Sequence, residues 1–309
     1  MNKFHQEKTI LLIKGGISSE RDVSLESGKC VEEALLRLGY HVVSFDMADG
    51  IFSLNQVIKD VKPLCVFNAL HGGWGENGSL PAFFNMLQVP YTHSGVFASA
   101  TAMNKNASKI IASNLGIDVA KGVLEVEKFI LEKETVDVDL VIKPNQEGSS
   151  IGVHLLKKGD TIPAAVKQDV LNKKQLIVEE YIAGREFSVA VMNDEALGII
   201  ELIPNDGFYD YQHKYQSGMT DHVFPTDLSD DVRKKLLDSA LKMHCCLGCK
   251  GVSRSDFRYD EKQNRVVFLE INTHPGMTNL SLVPELALKK GISYNQLVEN
   301  IIKQADFER

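Results

Sequence analysis

Apolar positions begin as short unbroken runs with helical spacing between them. Residues 9–13 (TILLI) are all apolar except the first and end on Gly15 and Gly16, the pattern of a strand buried on both faces. Residues 23–38 then place apolar side chains three and four apart and stop at Gly39, as a helix closed by a C-terminal glycine does. Residues 41–45 predict a second strand, 54–60 a helix and 64–70 (LCVFNAL) a third buried strand. Buried strands alternating with helices predict a parallel sheet wound in right-handed βαβ units. A long helix over 98–115 follows the turn in "YTHSG". Beyond it strand patterns dominate, at 140–143, 151–156, 175–180, 186–192 and 197–203, with one helix near 162–171. A helix over 229–247 precedes two strands, 251–259 and 266–272, joined by the polar turn "DEKQNR". The order is α/β first and α+β afterwards, with no internal repeat.

Composition narrows the classes. The chain has 309 residues and 44% hydrophobic content, enough for a sizeable core and, at about 150 residues per domain, for about two domains. Lys+Arg 34 against Asp+Glu 41 gives a charge of -7, which argues against nucleic acid or an anionic membrane as partner. A small anion in a locally positive pocket stays compatible with that balance. The first apolar run is too short for a signal peptide, and no stretch reaches the length of a membrane span. Cys30, Cys65, Cys245, Cys246 and Cys249 are odd in number and crowded at one end, unlike a secreted disulfide framework, so the cytoplasm is the expected compartment.

Three local motifs mislead. "GWGENG" matches the dinucleotide fingerprint between a strand and a helical pattern, but the next acid after Glu76 is Asp118, too far away to hold a ribose. "CLGC" lacks a second ligand pair for zinc and ends a helix, so its thiols read as core residues. "SGK" at 27–29 has Val23 where a phosphate-binding loop has glycine.

The chemistry concentrates elsewhere. Arg254 and Asp256 share one face of a strand, and Glu270 and Asn272 share a face of the next. A plain hairpin turning through 260–264 pairs Arg254 with Asn272 and Asp256 with Glu270. Opposed carboxylates repel, so such a face needs compensation, and hard divalent cations suit its oxygens. A solvated hairpin face with ordinary salt bridges is the plainer alternative. "VIKPNQEGSS" puts Lys143 at a strand end before a Gly/Ser loop, an arrangement suited to phosphate, though a polar turn with a surface lysine has the same residues. "FYDYQHKY" (208–215) packs aromatics into a polar segment, as lids and substrate loops do.

In chain order "GGISSERDVSLESG", "LHGGWGENG", "PYTHSGVFASATAMNK", "VIKPNQEGSSIGV", "VEEYIAGREF", "FYDYQHKY", "GVSRSDF" and "EINTHPGMTNLSLVP" span nearly the whole chain. Together they resemble the D-alanine–D-alanine ligase family of the ATP-grasp superfamily. The resemblance implies a three-domain ATP-grasp architecture: residues 1–97 an N-terminal doubly wound α/β substrate domain, 98–183 a central subdomain, and 184–309 a C-terminal subdomain with metal site and lid. It implies ATP and two Mg²⁺ (or Mn²⁺) ions as cofactors and two D-alanine molecules as substrates, joined through an acyl phosphate for peptidoglycan precursor synthesis. A homodimer is the implied assembly.

Carried over by motif position, the resemblance makes Asp256, Glu270 and Asn272 the metal ligands and sets Lys105 and Lys143 on ATP phosphates. Glu179 or Glu180 lies near the adenine and Glu186 at the ribose. Glu20 holds the ammonium of the first D-alanine, with His71 nearby. Arg254 and the Gly276 amide stabilise the oxyanion, while Ser281 and the Leu282 amide bind the second carboxylate. Glu20, Ser149 and Tyr215 form a link that closes the lid, and Tyr215 in "HKY" favours an amine nucleophile over D-lactate; His213 reads as a solvated loop residue. Pro81, Asn85, His93 and Asn104 depart from the family's usual glutamine, glutamate, glycine and aspartate, and "RSD" and "THPG" are also unusual. These departures put the aim of Lys105 in question more than the metal site.

Overall fold

A computed structural model describes residues 8–148, 151–204 and 220–308. The chain opens with β1 (Thr9–Lys14), α1 (Arg21–Arg37), β2 (His41–Asp46), α2 (Ile51–Val61) and β3 (Cys65–Asn68). β1 lies between the other two strands and pairs with both in parallel, as the alternating pattern requires. After α3 (Ser79–Leu87) come α4 (Val96–Met103) and α5 (Lys105–Asn114), where the sequence pattern predicts one helix. Asn104 breaks it. Its backbone is extended, its side chain accepts from the Ala107 backbone amide as an N-cap, and Asn145 Nδ2 donates to the same oxygen at 3.0 Å. The apolar spacing runs through this position unchanged, because a cap alters backbone direction rather than periodicity.

A short β4 (Asp118–Val119), α6 (Val126–Glu132), β5 (Leu140–Pro144), β6 (His154–Leu156), α7 (Ala164–Leu171) and β7 (Leu176–Glu180) follow. β6 is half the predicted strand, since residues 151–152 form a turn with Gly152 at φ 70°. β5, β6 and β7 make an antiparallel sheet with β5 central. Then come β8 (Arg185–Met192), β9 (Glu195–Pro204), β10 (Thr220–Val223), α8 (Asp230–Leu247), β11 (Val252–Asp260), β12 (Arg265–Asn272), α9 (Leu282–Lys289) and α10 (Tyr294–Lys303). Together with β4 they form a six-stranded sheet in the order β10-β9-β8-β11-β12-β4.

Alternation along β8 divides the large sheet into two faces. Phe187, Val189 and Val191 pack with Phe257, Phe268 and the α8 residues Leu236 and Met243. Ala190 and Met192 on the opposite face join Ile10, Leu12 and Phe67 of the first sheet and Leu297 and Ile301 of α10. Each fully buried Leu, Ile or Phe contributes about 1.5–3 kcal/mol, so this shared core holds the first sheet against the end of the large one. The cleft lies where the apolar side of β8 gives way to Glu186 and Ser188. Of the two "CLGC" cysteines only Cys249 is buried, its thiol pushed up to about 12 by desolvation, while Cys246 and the neighbouring Cys245 are exposed; the expected core role therefore holds for one of the pair. Among the described residues no cluster of three or more His, Cys, Asp or Glu side chains is placed to hold a metal, and no helix is long and apolar enough to cross a membrane.

Candidate active site

Two adjoining cavities occupy the cleft. The larger, about 500 Å³, is lined by Glu20, His71, Glu76, Ser188, Arg254, Asp256, Glu270, Asn272, Gly276, Ser281 and Leu282. The smaller, about 90 Å³, is lined by Lys105, Lys143, Glu179, Glu180, Glu186, Asp256, Arg258 and Glu270. Asp256 and Glu270 belong to both walls. Of the residues given a catalytic, substrate, nucleotide or metal role in the sequence, those with described positions all line this double cleft. Ser149, Tyr215, His213 and the 208–215 aromatic segment lie outside the described residues.

The shared wall is the β11–β12 hairpin. Arg254 pairs with Asn272 and Asp256 with Glu270, as expected, but by a different path. From the turn, Asp260 pairs with Arg265 and Phe257 with Phe268; a bulge at Leu269 then shifts the register by one. Without it Asp256 would face Leu269. The bulge lets Phe268 and Ile271 both pack toward α8 while Glu270 and Asn272 turn to the cleft, a re-aiming that bulges commonly provide near active sites.

The opposed carboxylates are compensated by cations. Arg254 grips Asp256 with two hydrogen bonds, Nε to Oδ1 at 2.9 Å and a terminal nitrogen to Oδ2 at 2.8 Å. Ser188 Oγ donates to Asp256 Oδ1 at 2.6 Å. Sequence reading missed Ser188, although its place two residues after Glu186 on one strand face was a usable signal. Lys105 Nζ stands 3.4 Å from Glu270 Oε2 and donates to the Glu147 carbonyl at 2.6 Å. The Asn104 break sets this aim: Lys105 is the first residue of α5 and its amide donates to the Asn145 carbonyl.

In the smaller cavity, Glu179 is buried between two lysines. Lys143 lies 3.2 Å from its Oε2 and Lys109 bonds its Oε1. Burial and the nearby Lys143 charge push Lys109 down to about 7; burial works against ionised Glu179, yet the two lysines outweigh it and hold its carboxyl below the usual range. Lys109, four residues after Lys105 on α5, was also missed in the sequence, where a helical lysine resembles any solvated one. Glu186 pairs with Arg258 at 2.8 Å, and Glu180 accepts from the Lys121 amide at 3.1 Å.

Across the larger cavity, Glu20 is buried at the start of α1. A Cβ on Gly72, at φ 69°, would come within 2.7 Å of Glu20 Oε2, so the carboxylate fits only beside a glycine. His71 Nε2 contacts Ser27 Oγ at 2.9 Å, and its Nδ1 lies 3.5 Å from Glu76. Ser281 caps α9 in position but not by side chain; its Oγ instead accepts from the Thr278 amide at 2.9 Å. A Cβ on Gly276 would collide with that Oγ at 2.7 Å. Ser281 and Leu282 thus bring the start of α9 to the cavity wall, the place in a helix where anions are favoured. Behind the wall, burial holds His93 down at about 3 and His274 well below the ordinary imidazole range.

This arrangement offers lysines in one cavity, three oxygen donors on the shared wall, and a carboxylate and a helix start that both line the second cavity. Comparison with known proteins agrees with it. Residues 116–303 match the family described as "D-ala D-ala ligase C-terminus". The chain is 45% identical to a D-alanine--D-alanine ligase of Wolbachia pipientis over 96% of this chain and 94% of that one. It is 43% identical to one from Parvibaculum lavamentivorans, covering 98% and 99%. The D-alanine--D-alanine ligase from Bacillus anthracis superposes with a TM-score of 0.81 at 28% identity, covering 96% of each chain.

Proposed function

We propose how this cleft works from the premise that the chain belongs to the D-alanine–D-alanine ligase family and is an ATP-dependent, ADP-forming ligase of two D-alanines for cell-wall precursor synthesis. A carboxylate oxygen of the first D-alanine takes the γ-phosphoryl group of ATP, and ADP departs. The amine of the second D-alanine attacks the resulting acyl phosphate, and inorganic phosphate leaves. The observation that carries our reading is that Asp256 and Glu270 line both cavities, where a nucleotide's phosphates in one meet a carboxylate in the other.

In this reading Glu20 binds the first ammonium with His71 beside it. Ser281 and the Leu282 amide take the second carboxylate, and Arg254 with the Gly276 amide faces the developing oxyanion. Lys105 and Lys143 take ATP phosphates, Glu186 the ribose, and the edge at 180–182 the adenine. Asp256, Glu270 and Asn272 would hold two Mg²⁺ (or Mn²⁺) ions; three hard oxygen donors in register on one sheet face fit such ions. When bound, these ions supply positive charge at the transferring phosphoryl group. Ser149 and Tyr215 complete the lid with Glu20. We place the domain boundaries near 97 and 183, with 96–119 lending α4, α5 and β4 to the large sheet, and infer a cytoplasmic homodimer.

Lys109 enters as the standing counter-ion of Glu179, leaving Lys143 available to phosphate. Lys109→Met should tighten Glu179 on Lys143 and raise KM for ATP about tenfold, the worth of about 1.4 kcal/mol, with kcat near wild type. Initial rates over a range of ATP concentrations check this, and an unchanged KM would reject it.

Phosphate release with ATP and D-alanine, compared with L-alanine and D-lactate, tests the whole reading. Release and D-alanyl-D-alanine formation are expected with D-alanine alone; folded protein that releases no D-alanine-dependent phosphate would overturn it.

A further inference from the structure

We propose that His93 and His274 form a clasp of stacked rings that fixes the 272–276 loop, with His274 a positioning residue for Asn272 and the Gly276 amide. This rests on the reading of that loop as part of the metal and oxyanion site.

Seven described non-glycine residues have positive φ, and six of them are exposed, as turn residues are. The seventh is His93, at φ 72° and only 3% exposed. A branched or ring-bearing residue in that region costs about 1–2 kcal/mol and persists where its surroundings over-determine it.

Those surroundings are specific. The His93 ring lies 4.5 Å from the His274 ring at an interplanar angle of 31°, and Phe67 meets its edge at 5.6 Å. Thr92 Oγ1 contacts His93 Nδ1 at 2.9 Å. A Cβ on Gly251 would stand 3.6 Å from the His93 Cα, so the backbone is backed from behind. The two histidines come from distant parts of the chain: one follows the first sheet, the other follows β12.

His274 is joined to the site through its backbone. Its N–H donates to Asn272 Oδ1 at 2.7 Å, fixing the direction of that carboxamide, and Gly276 is two residues further on. The one polar contact of its ring among the described residues is long, Nδ1 to Thr273 Oγ1 at 3.3 Å, and Nε2 has no hydrogen-bond partner there. The ring therefore serves by shape, as a flat plate against His93. Neither histidine reaches the larger cavity's lining.

The test uses His274→Ala, His274→Phe, His93→Gly and the double variant His93→Gly/His274→Ala, each checked for folding by circular dichroism. Mn²⁺ binding in the presence of ADP, read from the free-ion electron paramagnetic resonance signal, supplies a measure independent of turnover. Removing an outer support of a metal ligand weakens metal binding by about 10–100-fold, so His274→Ala should weaken Mn²⁺ binding about tenfold and lower kcat with it. His274→Phe keeps the plate and should stay within about twofold of wild type. His93→Gly, which relieves the strained backbone and keeps the test open if His274→Ala misfolds, should repeat the loss, and the double variant should be no worse than the worse single one. Unchanged Mn²⁺ binding in His274→Ala, equal damage from His274→Phe, or multiplying losses in the double variant would each overturn the clasp. Wild-type turnover and its loss in Glu270→Ala, measured alongside, test the underlying site reading separately.

Discussion

Glu270→Ala is expected to lower D-alanine-dependent phosphate release by about a thousandfold or more while leaving the fold intact, since metal-borne charge stabilisation is worth several kcal/mol and each 1.4 kcal/mol is tenfold. The asymmetry comes from the wall. Glu270 opposes Asp256 across the β11–β12 ladder, where like charges repel and Lys105 only partly offsets the second carboxylate. Its loss leaves Lys105 bonded to the Glu147 carbonyl and Asp256 still gripped by Arg254. Thermal unfolding without metal should therefore match or slightly exceed wild type. Turnover above a tenth of wild type would reject Glu270 as a ligand, and a collapsed melting temperature would show that it stabilises the fold instead.

Arg254→Met should turn over slowly as well and be visibly less stable. Losing one preorganised donor to a developing oxyanion costs about 10²–10³ in kcat. The same change strips buried Asp256 of both guanidinium hydrogen bonds and leaves it facing Glu270. Breaking a buried pair by removing one partner costs about 3–5 kcal/mol. Added Mg²⁺ should restore part of the melting temperature by supplying charge to the same carboxylates, without restoring kcat. Arg254→Lys should not recover activity, because an ammonium cannot reproduce the two-pronged grip. Wild-type kcat in Arg254→Met would remove Arg254 from the chemistry; unchanged stability would show that Asp256 does not depend on it.

Both variants test a wall whose composition was plain in the sequence and whose construction was not. The spacing of Arg254, Asp256, Glu270 and Asn272 placed them on one face of a hairpin, and the structure pairs them that way. It does so through the bulge at Leu269, which no residue pattern announced, because a bulge is selected by packing on both faces at once: Phe268 and Ile271 toward α8, Glu270 and Asn272 toward the cleft. The break at Asn104 was hidden for a related reason. Apolar periodicity continues through it, and only Asn145, forty-one residues away, completes the cap that turns Lys105 inward.

What the sequence determined by itself follows from local rules. Buried runs of period two or none, helical spacing between them and glycines at sharp turns dictate the strands, helices and parallel first sheet. Eight ordered motifs carry the family. Only the tertiary structure decided which charges meet. Lys109 reaches Glu179 and Lys143 across seventy and thirty-four positions, Ser188 reaches Asp256 across sixty-eight, and His93 meets His274 across most of the chain. Such contacts depend on how two sheets share a core, and the energy that brings them together comes from apolar burial elsewhere. The residues that do chemistry are therefore written in the sequence, whereas their partners are set by the packing of residues that do none.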